Sequence, residues 1–542
     1  MTEEKVPLFV REATGLVREV GMISFIAIAM SYAIGGGINR LAVVTGGQNP
    51  GANVALSFLL AGIPILLSSI IGGMLLSGMP RSGGAYVFIS RILSPPIAFM
   101  LSFGVWVGLG MALGLIANWD VYFLGQLLAN AGTALKDPGL MSLAVTLQAD
   151  INRLIIGTLI VIIVTGIAIT RMSIVVKVID TIWVIPLIGS ILTMAVFLPY
   201  MGASMSTLQS VWDGTFGVGA FDEILTVAKG AGWTAEEYTT FSMGATITAM
   251  FAAMFAYGSP SVGCASSVAG EVKTPRKTLL WGPIIAMLIV MFVYIMYPFM
   301  VYGAWDPFIR AYTFVNINPE LAGQLTITPP LQPLMPLFAS ILTNPALGIF
   351  LSLTAFIWLF NDLLPFFLGA TRMMFAWSFD RAFPTKFAEV SERFHSPIYA
   401  SLALFVVAEF TCIIMSGFLL YELMPQFDII MIHLIIGFDG ALAVSATLYP
   451  FTRKDIYDRS PVKPEVGGVP LISVLGAITT GLMLWLYWIM WGQLAPNGVL
   501  TSSAYYGIFV YTVGLIIFTV MASRAVKKGI PLSSIYSEIP PE

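Results

Sequence analysis

Cysteine and histidine are nearly absent, with two of each in 542 residues. Cys264 and Cys412 both fall inside long apolar runs, so no disulfide framework is expected. His395 lies in a loop and His433 in an apolar run. No HExxH, Cys/His cluster, G-x-S-x-G or Walker loop is present. These absences exclude the common metalloprotease and ATP-driven pump readings, and no enzymatic activity is expected. Charge is equally scarce: 10% of residues are Asp, Glu, Lys or Arg, against about 25% in an ordinary soluble domain. A cleavable signal peptide is not expected, because residues 1–19 are charged and the first apolar run is too long for a signal h-region.

What fills the chain is apolar sequence: 57% hydrophobic, with a mean hydropathy of +0.88. Twelve runs approach bilayer length, near 20–44, 53–78, 96–128, 153–171, 174–199, 241–269, 279–303, 345–378, 398–420, 427–451, 468–492 and 503–523. If the N-terminus is cytoplasmic, 21 of the 26 Lys and Arg fall in inner loops and ends. Arg40, Lys136, Arg153, Lys229 and Arg310 are left outside. Both termini are therefore expected in the cytoplasm, which an even number of spans also requires. The net charge of −3 carries no such information. Asp213, Asp222, Glu223, Glu236 and Glu237 make the 200–240 loop acidic, as a solvated loop would be.

Two runs are broken at their centres. The first contains Gly35-Gly36-Gly37, and the second Ala256-Tyr257-Gly258-Ser259-Pro260-Ser261. Glycine costs entropy in a helix, and proline removes a donor and clashes with the preceding turn. Backbone freed at membrane depth must face protein, water or a solute. A break in each half is the best sequence-level pointer to a transporter's binding site. The breaks lie 222 residues apart, each opening five spans. An odd number of spans inverts the second set, so the hydropathy is compatible with an inverted repeat. The expected organisation is an N-terminal segment (1–19), a first five-helix repeat (20–199), an outer loop (200–240), a second repeat (241–451), two further helices (466–523) and a tail (524–542). Small residues four apart, Ser68/Gly72, Ser69/Gly73, Gly104/Gly108 and Gly110/Gly114, suit close helix packing.

Four further stretches narrow the class: Pro80-Arg81-Ser82-Gly83-Gly84-Ala85-Tyr86, Gly270-Glu271-Val272-Lys273-Thr274-Pro275-Arg276-Lys277, Ala370-Thr371-Arg372-Met373-Met374-Phe375-Ala376 and Asp380-Arg381-Ala382-Phe383-Pro384. With Gly35-Gly36-Gly37-Ile38, their order and spacing over roughly residues 15–450 resemble the amino acid–polyamine–organocation transporter family. The resemblance implies an all-α membrane protein of the LeuT-type fold, with 12 transmembrane helices in two inverted five-helix repeats plus two C-terminal helices. It implies a secondary active transporter in a cell membrane. The family's usual G-S-G-I-F reads Gly35-Gly36-Gly37-Ile38-Asn39 here, so a hydroxyl and an aromatic are missing.

The breaks themselves suggest a ligand. The half-helix after Gly35–Gly37 begins with unpaired N–H groups and a positive dipole end, suited to a carboxylate. The half-helix ending near Ala256–Tyr257 leaves carbonyls suited to an ammonium. A zwitterion fits both, and an α-amino acid is the commonest small one. Counting from the family motifs places backbone of Ala33, Ile34, Gly35, Gly36, Gly37, Ala256, Tyr257, Gly258 and Pro260 at the substrate. Gly108, Leu109, Leu113 and Phe366 are expected as walls, and Tyr257 as an aromatic gate or a packed core ring. The lining leans towards neutral or apolar side chains.

Asp362 is the most informative ionisable residue. It lies ten residues before Arg372, roughly 15 Å along a helix. An acid at that depth is costly and by default functional. It could carry a proton, ligate Na⁺, meet a substrate ammonium or be a hydrogen-bonded structural acid. The position where some proton-coupled relatives carry a lysine falls near Val184. Lys177 and Asp180, three apart, are expected to pair locally. Asp120, Asp439 and His433 also lie in spans, His433 as a pH-sensitive gate or a packing residue. No cofactor is expected beyond a coupling ion, H⁺ or Na⁺. The expected partners are the lipid bilayer and an amino acid, not nucleic acid, with the chain a monomer or homodimer. An amine or polyamine exchanger, an amino-acid-binding membrane sensor and a channel are the competing readings. The sensor lacks a soluble signalling domain, and the channel lacks a continuous polar stripe.

Overall fold

The computed structural model describes residues 16–258, 265–326, 332–419 and 424–539, without the side chains of 424–433 and 435. The protein is a helical bundle. The helices that matter below are α1 (Met22–Ala33), α2 (Gly36–Gln48), α3 (Val54–Gly78), α4 (Ala85–Ile92), α5 (Pro95–Leu135), α6 (Asp150–Ala168), α7 (Met172–Ile182), α8 (Val184–Phe197), α9 (Met243–Tyr257), α10 (Pro275–Trp305), α11 (Phe308–Ile317), α12 (Pro345–Phe379), α13 (Ile398–Met415), α14 (Met424–Thr452), α15 (Leu471–Leu494), α16 (Ser502–Lys527) and α17 (Leu532–Ser537). Among the described residues, nine helical spans are long and apolar enough to cross a bilayer, and the bent pair α1–α2 makes a tenth. The remaining two of the twelve expected runs are carried by α9, 15 residues long and ending at the second break, and by α14.

The first break is local and sharp. Ile34 and Gly35 leave the helix, and α1 and α2 meet at about 40°. The backbone N–H groups of Ile34 and Gly35 still donate to Met30 and Ala33 carbonyls at 2.8 and 3.0 Å. At the second expected break α9 ends at Tyr257, and Gly258 after it takes a φ of +53°, which favours glycine. Pro260 and Cys264 lie outside the described residues.

Helix packing uses the small residues. α5 and α12 share the most extensive seam in the bundle. A Cβ on Gly73 would reach the Leu280 carbonyl of α10 at 2.7 Å, and one on Gly110 would reach Val407 of α13 at 2.7 Å. Cys412 is buried in α13. The expected Lys177–Asp180 pair is not made. Lys177 stays exposed, whereas half-buried Asp180 turns to α1 and accepts from Ser24 Oγ at 2.7 Å. An acid at the first turn of α1 is favoured by the helix dipole, which outweighs an exposed ion pair.

The four sequence motifs converge at one end of the bundle, which also carries Arg91, Arg372 and Arg453 and is called the basic end below. Arg372 grips Glu271 with Nε–Oε1 2.9 Å and a second bond of 3.2 Å, both side chains buried. Arg91 pairs with Asp380 in the same two-pronged way. Val20 bridges Val272, and Lys273 N–H donates to the Val20 carbonyl at 2.9 Å. Gly83 N–H donates to the Ser267 carbonyl at 3.0 Å, at a φ of +92°. Part of the C-terminal tail is ordered against this end: the Arg91 guanidinium lies 5.3 Å from the Tyr536 ring centroid. At the other end, Trp212 of the 200–240 segment is buried against Trp305, Phe308 and Phe338.

Candidate functional site

A small cavity sits between the two breaks. Tyr32, Ala33 and Gly37 line it from the first broken span, and Met254, Phe255, Ala256, Tyr257 and Gly258 from the second. α5 supplies Ala112, Leu115, Ile116 and Trp119; α12 supplies Leu359, Asp362 and Phe366; and α14 supplies Ile436. Tyr32 stacks on Phe366 with centroids 4.3 Å apart, on the side towards the basic end. Trp119, with Phe255 at 6.5 Å and the Arg40 guanidinium at 5.9 Å, stands at the other side.

The three glycines of the first break have different surroundings. A Cβ on Gly37 would meet Ala256 Cα at 3.5 Å, an ordinary contact, so its open side faces the cavity. A Cβ on Gly36 would collide with Leu359 at 2.6 Å, and one on Gly35 with the Asp362 carboxylate. Asp362 therefore presses against the start of α2, where a helix N-terminus attracts negative charge. Asn39 stands where the family has an aromatic. Its Nδ2 donates to the Gly35 carbonyl at 3.1 Å and pins the break.

Tyr257 is fully buried. Its hydroxyl donates to the Phe58 carbonyl at 3.1 Å, in space that Gly62 leaves open. The ring lies 4.7 Å from that of Tyr294, so only part of it borders the cavity. Tyr294 itself gave no signal in the sequence. Its hydroxyl touches the Ala33 carbonyl and lies 3.0 Å from the Ala256 carbonyl. One O–H proton thus serves the last turns of both half-helices in alternation. Asn361, beside Asp362, donates to Ser31 Oγ at 2.7 Å and ties α12 to α1. Pro365 offers no N–H to the Asn361 carbonyl, which loosens the helix at the acid.

Ile34 is buried beneath the break, outside the lining. Gly108, Leu109 and Leu113 are also buried outside it. The lining stripe of α5 runs through Ala112, Leu115, Ile116 and Trp119. Gly108 is one turn nearer the basic end on that stripe, while Leu109 and Leu113 are turned from its centre by about 70° and about 110° at 100° per residue. Trp119, Tyr32 and Leu359 were not singled out from sequence, because an aromatic or leucine in an apolar run carries no mark of what it faces. His433 lies outside the described side chains. Among the described residues no group of three His, Cys, Asp or Glu side chains could hold a metal ion.

Broken half-helices around a central cavity, within a bundle latched at one end, define the LeuT-type class of membrane transporters. The amino acid permease family model matches residues 20–536, and the chain belongs to that family. Among solved structures, the crystal structure of MhsT in complex with L-phenylalanine superposes with a TM-score of 0.55 at 16% identity, covering 86% of this chain and 98% of that one. No curated protein sequence matches. The protein is thus a multi-pass membrane protein of an amino acid transporting family.

Proposed function

We propose that the chain moves neutral, apolar amino acids across the cell membrane by alternating access, coupled to H⁺ through Asp362. The basic end, with both termini, is assigned to the cytoplasm by its excess of Lys and Arg. The observation that carries the coupling is the seat of Asp362 against Gly35. A substrate carboxylate suits the same α2 N-terminus, and two anions there would repel each other at low dielectric. Substrate is accepted when Asp362 is neutral, which ties one proton to one amino acid. The carbonyls of Ala33 and Ala256, now served by Tyr294, are suited to the substrate ammonium. The remaining wall, of Ala112, Leu115, Ile116, Leu359 and Phe366, suits an apolar side chain. Alternating access then requires the Glu271–Arg372 and Arg91–Asp380 latches to part in turn with the Trp119 side.

A second reading, an amine or polyamine exchanger, uses charged Asp362 to bind ammonium directly. A thermal-shift panel of neutral amino acids, L-phenylalanine first, and of polyamines separates the two. For a proton-coupled amino acid carrier, apparent affinity falls as pH rises, by up to about tenfold per unit once the acid ionises. Asp362→Asn should bind with no such dependence. If that variant loses binding and the wild type prefers polyamines, the carboxylate holds the substrate and the amino acid reading is wrong.

A further inference from the structure

Asp120 has no part in the site described above, yet it is a fully buried acid in the middle of α5. Neither carboxylate oxygen has a hydrogen-bond partner among the described residues. One register and one shared helix face place it near Asp362. Asn130 of α5 donates to Ser352 of α12 at 2.8 Å, and these helices are antiparallel. Ten residues from each towards the basic end are Asp120 and Asp362, so both acids lie at one height. Ser102 of α5 accepts from Trp377 Nε1 of α12 at 2.9 Å. Asp120 is eighteen residues on, about five whole turns, and so shares the face of α5 that Ser102 turns to α12. Asp362 Oδ1 is likewise without a partner among the described residues.

Among the described residues no cation forms an ion pair with either acid. On the elements packed around them, Tyr32, Tyr257 and Tyr294 are neutral phenols, and Arg40 lies over Trp119. Arg153 is held by Asp150, Glu409 accepts from Thr158, Cys412 is a buried thiol, and Asp439 adds another acid on α14. The His433 side chain is outside the described set. Two carboxylates without a counter-charge cannot both stay ionised in a low-dielectric interior.

We propose that Asp120 is the second acid of the coupling site: Asp120 and Asp362 form one proton-binding pair, Asp362 open to the cavity and Asp120 sealed beside it. The inference rests on the reading of Asp362 as the coupling acid. The pair titrates as a unit, so neither residue has a proton affinity of its own. Substrate arriving at the α2 N-terminus requires Asp362 in its neutral form, so the pair takes up a proton with the amino acid. Replacing either acid by Asn removes the like charge that the other faces, so the remaining carboxyl holds its proton less tightly. Either variant keeps one acid but loses the coupled titration.

The test has two arms on the full-length protein. In detergent without substrate, infrared difference spectra across pH 5–9 (about the range of functional acids) should show a protonated-carboxyl band in the wild type. That band should titrate at lower pH in both Asp120→Asn and Asp362→Asn. Asp120→Glu, which keeps the acid, should shift the band's frequency without that drop, and it serves as well if Asp120→Asn does not fold. A band unaltered by either Asp120 variant overturns the pair. In proteoliposomes, L-phenylalanine accumulation driven by a pH gradient should fall at least tenfold in both Asn variants, with slowed counterflow exchange remaining. Wild-type accumulation by Asp120→Asn overturns the proposal. So does accumulation driven by Na⁺ alone, which would make the pair a cation site. If the wild type moves no amino acid while the infrared result holds, the pair stands and the transport reading falls.

Discussion

Gly37 is the position where a side chain would test binding without testing folding. Its neighbour Gly36 is packed against Leu359 and Trp119, so Gly36→Val should reduce expression and thermal stability. Gly37→Val projects a branched side chain into the cavity and should weaken amino acid binding at least tenfold, about 1.4 kcal/mol, with a near-normal melting profile. Unchanged affinity in a well-folded Gly37→Val protein would remove this cavity from consideration. Tyr257 makes the opposite case, since its surroundings are those of a core residue. Tyr257→Phe loses the bond to Phe58 and should cost about 1 kcal/mol, leaving transport near normal. Tyr257→Ala empties a buried ring site and should cost about 3–5 kcal/mol. If Tyr257→Ala melts like the wild type but no longer transports, the ring is a gate more than a packing element. The glycines and the acid were legible because both are expensive in an apolar run. Tyr294 and Trp119 were not, because only the folded bundle decides which aromatic meets a freed carbonyl or a cavity.

At the scale of elements, the two breaks and the basic latches are where the chain's local rules yield to function. The first break and the end of α9 at Tyr257 were readable from glycine chemistry, and the motifs that follow the second, sixth and eighth spans meet at the basic end. What spacing did not give was the rotation of α5. Its lining stripe passes through Ala112 and Trp119, because a 41-residue helix amplifies a small error in phase. Nor did spacing show that Asp180 would leave Lys177 for Ser24, a choice fixed by where α1 starts. The latch between Glu271 and Arg372 makes a sharp prediction. Removing one partner strands a buried charge, at about 3–5 kcal/mol. Glu271→Gln and Arg372→Gln should each lower the melting temperature in detergent, and the double variant should be more stable than the sum of the two losses implies. Additive losses would show that the pair does not hold this end closed.

Across the whole molecule, composition and the Lys/Arg asymmetry made the membrane class plain, and the family match over residues 20–536 agrees with it. Side-chain selectivity and the coupling ion were beyond that level, since both depend on which groups share a cavity. On the proposed mechanism the wild-type protein accumulates an amino acid at the expense of a proton gradient. The direct measurement is uptake of radiolabelled L-phenylalanine by proteoliposomes under an imposed pH gradient, with a Na⁺ gradient and a protonophore as controls. The expected result is accumulation above equilibrium that needs the pH gradient, ignores Na⁺, collapses with protonophore and is competed by other neutral amino acids. Contradiction would be uptake that never exceeds equilibrium under any gradient, or accumulation that follows Na⁺ or polyamine exchange instead.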